Sequence, residues 1–210
     1  MEWFRLVDLL GTFVFAITGA LRATRHQLDI LGLLVLSGVT GVTGGIMRDL
    51  ILGNVPPLVF QQEIYLIICI IAGVLVFFLS RRIAAHYNII IYADAVGLGV
   101  FAALGAAKAT EAGLGPVGVI LLGTVTATGG GVIRDVLVRE IPSVLRRDLY
   151  ATAAMAGSGF YYCAHIWQLP VVAQVIGTIG ITTGMRLLAI FLKLQLPRSF
   201  RPAAPEEIHL

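Results

Sequence analysis

The sequence predicts an all-α membrane protein: seven transmembrane helices, built as two inverted three-helix repeats plus a seventh helix, N-terminus outside and C-terminus inside. Three observations carry this expectation. Charged side chains make up 13% of the 210 residues, against roughly 25% in ordinary soluble domains. Hydrophobic residues reach 58% and mean hydropathy is +0.91, too little polar surface to cover a globule in water. The chain also matches itself when shifted by 86 residues, so that Asp8 meets Asp94 and Arg48 meets Arg134. The formal charge of +3 comes with no basic arm, and nucleic acid is not an expected partner.

A helix crossing the hydrocarbon needs about 20 mostly apolar residues. Such runs lie near 6–24, 29–52, 63–80, 90–108, 116–138, 149–166 and 170–192. The connections are short and punctuated by Asn54, Pro56 and Pro57, by Arg81 and Arg82, and by Gly113, Gly115 and Pro116. Residues 1–88 form the first repeat and 89–168 the second, 169–195 the seventh helix and 196–210 a cytoplasmic tail. The first run looks like a signal peptide, but its repeat mate at 94–110 cannot be one, and it is kept as a span.

Sorting the basic residues orients the chain. With the N-terminus outside, the inner side holds Arg22, Arg25, Arg81, Arg82, Arg139, Arg146, Arg147, Lys193, Arg198 and Arg201, and the outer side only Arg5 and Lys108. Trp3, Trp167, Tyr161 and Tyr162 fall near span ends, where interfacial aromatics are expected. Cys69 and Cys163 lie in apolar runs without metal-ligand spacing, and His26, His86, His165 and His209 are scattered over loops and tail. No metal site and no cofactor is expected. Nor does any triad or phosphate-binding loop suggest an enzyme.

The repeat is specific in its polar and small residues. Gly11, Gly19 and Thr24 meet Gly97, Gly105 and Thr110; Gly44, Gly45, Arg48 and Asp49 meet Gly130, Gly131, Arg134 and Asp135; Pro56 meets Pro142. Three spans per repeat, an odd number, make the second copy enter the membrane from the opposite face, a design found in transporters and some channels. Consecutive glycines, Gly44 and Gly45 and then Gly129, Gly130 and Gly131, weaken a helix by up to ~1 kcal/mol each. Two readings follow. The second and fifth helices kink or break there and face a polar path, or the glycines serve close helix packing.

A central Arg or Asp costs ~2.5 to 3.5 kcal/mol to insert, which demands partners. Asp8 and Arg48 fall near one face, Asp94 and Arg134 near the other, predicting Asp8 with Arg48 and Asp94 with Arg134. Asp49 and Asp135 lie about 100° further round the helix, so they are expected to project elsewhere and bond opened backbone. Arg186 has no repeat mate and is expected to snorkel or to bond carbonyls. Thr40, Thr43, Thr126 and Thr128, with Thr12, Thr18, Ser37 and Thr124, supply hydroxyls able to wet a narrow path, or simply bond their own helices.

Two three-helix repeats, each with a Gly-Gly-[IV]-[IM]-Arg-Asp segment and a later Pro, plus a seventh helix, resemble the prokaryotic branch of the trimeric intracellular cation channel family. The resemblance covers residues 4–195 or so. It implies a homotrimer in a bacterial or archaeal plasma membrane, with lipid around it and one pore per protomer. The pore would be lined by the first, second, fourth and fifth helices and permeable to monovalent cations such as potassium or sodium. It makes Gly44, Gly45, Gly129, Gly130 and Gly131 the kink positions, with Arg48, Asp49, Arg134 and Asp135 the charges beside them. The Lys-Glu-Val segment of animal members is missing. Related bacterial sequences carry the label of glycine transporters, so a carrier of a small zwitterion stands beside the channel, and a purely structural protein beside both. No protein substrate is implied.

Overall fold

The computed structural model describes residues 2–83, 87–146, 149–192 and 194. The tail at 196–210, and with it Arg198, Arg201 and His209, lies outside the described residues, as do His86, Arg147 and Lys193. Nine helices are present among the described residues: α1 (Glu2–Arg25), α2 (Ile30–Ile51), α3 (Leu58–Gln61), α4 (Ile64–Ile83), α5 (Tyr87–Glu111), α6 (Pro116–Leu137), α7 (Ser143–Arg146), α8 (Ala151–Ile166) and α9 (Val171–Phe191). Seven of them match the seven apolar runs to within a few residues. Five, namely α1, α2, α5, α6 and α9, are long and apolar enough to cross a membrane. The one-turn helices α3 and α7 have no counterpart in the sequence expectation. Each follows its proline, where four residues carry no periodicity to read.

Packing follows the repeat. Helices α1, α2 and α4 pack on one another, and so do α5, α6 and α8, while α2 meets α6 and α1 meets α5 across the centre and α9 covers α5 and α8. Helix starts use different residues at equivalent places. Asp29 caps α2 by accepting from the Gly32 amide at 2.7 Å, whereas its mate Gly115 precedes Pro116, whose fixed φ suits the first turn of α6.

Helix ends show the reverse pattern, one backbone shape with changed residues. The left-handed residue after α1 is Gln27 (φ 53°) and after α5 its mate Gly113 (φ 74°); after α2 it is Gly53 (φ 74°) and after α6 its mate Arg139 (φ 58°). Glycine adopts this shape freely, and a side chain there costs about 1 kcal/mol.

The helices α2 and α6 run without interruption through their glycines, which corrects the expectation of broken helices. The residues instead permit contact. A Cβ on Gly44 would strike the carbonyl oxygen of Thr126, and one on Gly130 the carbonyl oxygen of Thr40. These contacts exchange under the 86-residue shift. Local α-helical bonding survives because α6 is buried along its whole glycine segment and neighbouring helices supply the packing that propensity withholds.

The other small residues also have definite neighbours. Gly97 faces the Phe15 ring, Gly99 faces Thr183 and Ile179, and Gly177 faces the Phe160 ring, so these three serve packing within the protomer. Gly180 and Gly184 of α9 face open space. Large apolar side chains such as Phe78, Ile176 and Phe191 are exposed, as expected of surfaces that meet lipid or another subunit.

Candidate functional site

Two clusters of charge lie at opposite ends of the bundle. At the first, Arg48 in the last turn of α2 donates through Nε to Asp49 Oδ1 at 2.9 Å and sets Nη1 3.8 Å from Asp8 Oδ2 on α1. Tyr65 of α4 donates its hydroxyl to the same Asp8 oxygen at 3.1 Å. At the second, Arg134 of α6 donates to Asp135 Oδ1 at 2.9 Å, to Asp94 Oδ1 of α5 at 2.7 Å and to Thr18 Oγ1 of α1 at 3.0 Å. Both expected ion pairs therefore form, across different helices and at opposite ends.

Asp49 and Asp135 depart from expectation. Rather than projecting away, each carboxylate takes the Nε of the arginine just before it, because a long guanidinium can fold back over one helical step. The second oxygen of Asp49 accepts the Leu58 amide at 3.0 Å and that of Asp135 the Ser143 amide at 2.8 Å, the first residues of α3 and α7. Each aspartate thus caps the one-turn helix that follows. Leu58 and Ser143 are 85 residues apart, as are Tyr65 and Tyr150, so the repeat has lost one residue between Asp135 and Ser143.

One of the two expectations for Arg186 is corrected: at 3% exposure it does not snorkel, and its guanidinium carbon lies 5.1 Å from the centroid of the buried Tyr150 ring, a cation–π geometry. Tyr161, expected at an interface, is buried at 4% exposure.

The first cluster borders two spaces. A cavity of about 580 Å³ opens beside it, walled by Phe4, Leu104, Ala107, Tyr161 and Val171, rimmed by Arg5, Lys108 and Glu111, and floored by Asp8, Arg48 and Tyr65. Beneath the floor lies a space of about 20 Å³, room for about one water, bounded by Thr12, Gly41, Gly45, Asp49 and Phe101. Asp8, Arg48, Leu58 and Tyr65 line both. Neither cavity reaches Asp94 or Arg134.

The remaining candidate residues have local partners. Thr40, Thr43, Thr126 and Thr128 donate to the carbonyls of Leu36, Val39, Leu122 and Thr124, four residues back, and none borders either cavity. Gly45 borders the smaller space, Gly129 packs on Met47 Sδ, and Gly131 faces the Tyr150 hydroxyl. Tyr65 was not singled out by the sequence, since its echo Tyr150 lies 85 residues on and the 86-residue shift does not pair them.

Comparison with known proteins rests on the same two halves. A family model described as "Glycine transporter" matches residues 5–81 and again residues 91–165, starts that are 86 residues apart. A UPF0126 membrane protein of Deinococcus radiodurans is 40% identical over 91% of this chain and 86% of its own length. The UPF0126 inner membrane protein YadS of Escherichia coli K12 is 38% identical over 91% of this chain and 93% of its own. A crystal structure of the TRIC trimeric intracellular cation channel orthologue from Rhodobacter sphaeroides superposes with a TM-score of 0.88 at 36% identity, covering 92% of this chain and all of that one.

The chain belongs to the TRIC family. It is an integral, multi-pass membrane protein with the TRIC fold, and the Arg-Asp motifs of its two halves lie in that fold at opposite ends. Of its two charge clusters, the first borders both cavities described above and the second borders neither of them. The looser contact, 3.8 Å between Arg48 and Asp8, belongs to the first, and the 2.7 Å contact between Arg134 and Asp94 to the second.

Proposed function

We propose that this TRIC-family chain is a cation channel, permeable to potassium, with one pore in each protomer of a homotrimer. The path enters the large cavity, passes Asp8 and Arg48, follows the seam between α1, α2, α5 and α6, and leaves past Asp94 and Arg134. The two halves act as inverted repeats about an axis through the α2–α6 crossing, with the N-terminus and the large cavity outside. One observation carries the reading: Asp8 borders both a wide cavity and a space the size of a water, with Arg48 at 3.8 Å and therefore only partly neutralising it. A carboxylate so placed attracts a monovalent cation at the point where it sheds water. The glycine segments of α2 and α6 supply the flexible positions at which the seam widens.

The likeness to channels of known structure supports conduction, and the "Glycine transporter" description of the family model favours a carrier as the second reading. In that reading Arg48 and Asp8 hold the two ends of a small zwitterion. Gly180 and Gly184, open on α9, are proposed contacts of the trimer. Single-channel recording of the purified protein in a planar bilayer under a potassium gradient, with glycine uptake measured on the same preparation, tests both. Unitary steps reversing near the potassium potential establish the channel. Saturable glycine uptake in a silent bilayer establishes the carrier.

A further inference from the structure

The repeat places Lys108 and Arg22 at equivalent positions, yet they behave differently. Lys108 has a side chain 47% exposed, turns aside to Glu111 at 2.7 Å and stands on the rim of the open cavity. Arg22 has a side chain 7% exposed and folds inward, 3.6 Å from Asp135 and 3.1 Å from Glu140. Glu140 in turn contacts His26 Nε2 at 2.8 Å. The mates of His26 and Glu140 are Ala112 and Asn54, which cannot build such a chain.

We infer that Arg22, Glu140 and His26 form a latch that closes the mouth opposite the open cavity, and that this mouth opens when Arg22 swings outward as Lys108 already does. The repeat supplies the alternative state. The residues Leu104 and Ala107, which line the large cavity, have as mates Thr18, which accepts a hydrogen bond from Arg134, and Leu21, which packs in the cluster of Ala20, Leu33 and Leu36. Two copies of one backbone frame thus occur in two arrangements, and the arrangement of one half is a low-energy option for the other.

The turns agree. His26 precedes Gln27 and Glu140 follows Arg139, both left-handed without being glycine, whereas the corresponding turns at the open end use Gly113 and Gly53. The latch turns are therefore held in a shape their side chains disfavour, closed by backbone bonds from Leu28 to Ala23 at 3.1 Å and from Glu140 to Asp135 at 2.9 Å, with the ion pairs running across them. Releasing Glu140 removes the tie between the end of α1 and the connection after α6.

The latch rests on the channel reading only for its effect on current, so accessibility tests it separately. In full-length protein in vesicles, with exposed Cys163 changed to Ser and buried Cys69 retained, Leu21→Cys reports the crevice to a membrane-impermeant maleimide applied to the latch side. Slow labelling is expected with the latch intact, and labelling faster by about tenfold or more with Glu140→Gln. Arg22→Lys, which keeps the charge but is too short to bridge Asp135 and Glu140, gives the same increase and decides the matter if Glu140→Gln does not fold. Equal protection of Leu21→Cys in folded latch variants and in the parent overturns the latch. Faster labelling without potassium current in any variant upholds the latch and overturns the channel reading.

Discussion

Phe15 and Phe101 stack with ring centroids 5.1 Å apart and planes inclined by 26°. They occupy the same position in the two repeats. Each ring thus touches its own mate under the 86-residue shift, the same shift that interchanges the Gly44–Thr126 and Gly130–Thr40 contacts. Both rings are buried, at 0% and 1% exposure. Phe15→Ala and Phe101→Ala are each expected to destabilise by about 3–5 kcal/mol. The double variant should lose less than the sum by roughly 0.5–1.5 kcal/mol, the coupling of an aromatic pair. Denaturation in mild detergent, run as a double-mutant cycle, measures both.

Adding a methyl group at the crossing of α2 and α6 has no room, because the facing atoms are carbonyl oxygens on another helix and cannot rotate away. Gly44→Ala and Gly130→Ala are expected to cost about 1–3 kcal/mol each by overpacking, although alanine favours helix. Gly180→Ala and Gly184→Ala, facing open space, leave the stability of the protomer unchanged, and any effect appears in the assembly mass.

The two aspartates at the arginines separate stability from permeation. Asp94→Asn removes the carboxylate closest to the buried Arg134, and breaking a buried pair of this kind costs about 3–5 kcal/mol. Asp8→Asn removes a partner 3.8 Å from an arginine that keeps Asp49, so the fold survives with a smaller loss, and potassium conductance falls severalfold. Thermal unfolding and single-channel recording of the same two variants check the contrast.

Tyr65→Phe frees one oxygen of Asp8 without changing shape. A loss of about 1 kcal/mol is expected from the missing hydrogen bond. Because Asp8 is then less neutralised, its attraction for a cation rises, and half-saturation of the potassium current moves to lower concentration. A current–concentration series reads this directly.

Much of the fold was legible because lipid is an unforgiving solvent. The spans follow from length and apolarity, and the pairing of Asp8 with Arg48 and Asp94 with Arg134 from the cost of an unpartnered charge combined with the repeat. What escaped has no such signal. Tyr65 has its echo, Tyr150, at a shift of 85 and not 86, α3 and α7 are a single turn each, and Glu140 and His26 have no echo in the other half. The glycine segments misled in one respect. Consecutive glycines weaken an isolated helix, but inside a bundle the same lack of a side chain admits a neighbouring carbonyl, and tertiary contact outweighs local propensity. The direction of Asp49 and Asp135 was missed because rotation about the helix locates a Cβ and says little about where a flexible arginine reaches.

The slip from 86 to 85 residues between Asp135 and Ser143 has a wider meaning. Deleting a residue within α6 would turn everything beyond it by about 100° and carry Arg134 or Asp135 off its partners. In the connection after α6 the difference is absorbed, and the start of α7 reaches the same relation to Asp135 that the start of α3 has to Asp49. The two halves thus differ by one residue at that joint and keep equal length on the helical side of it. The joint between motif and cap absorbs a change of one residue, while the motif itself acts as a ruler.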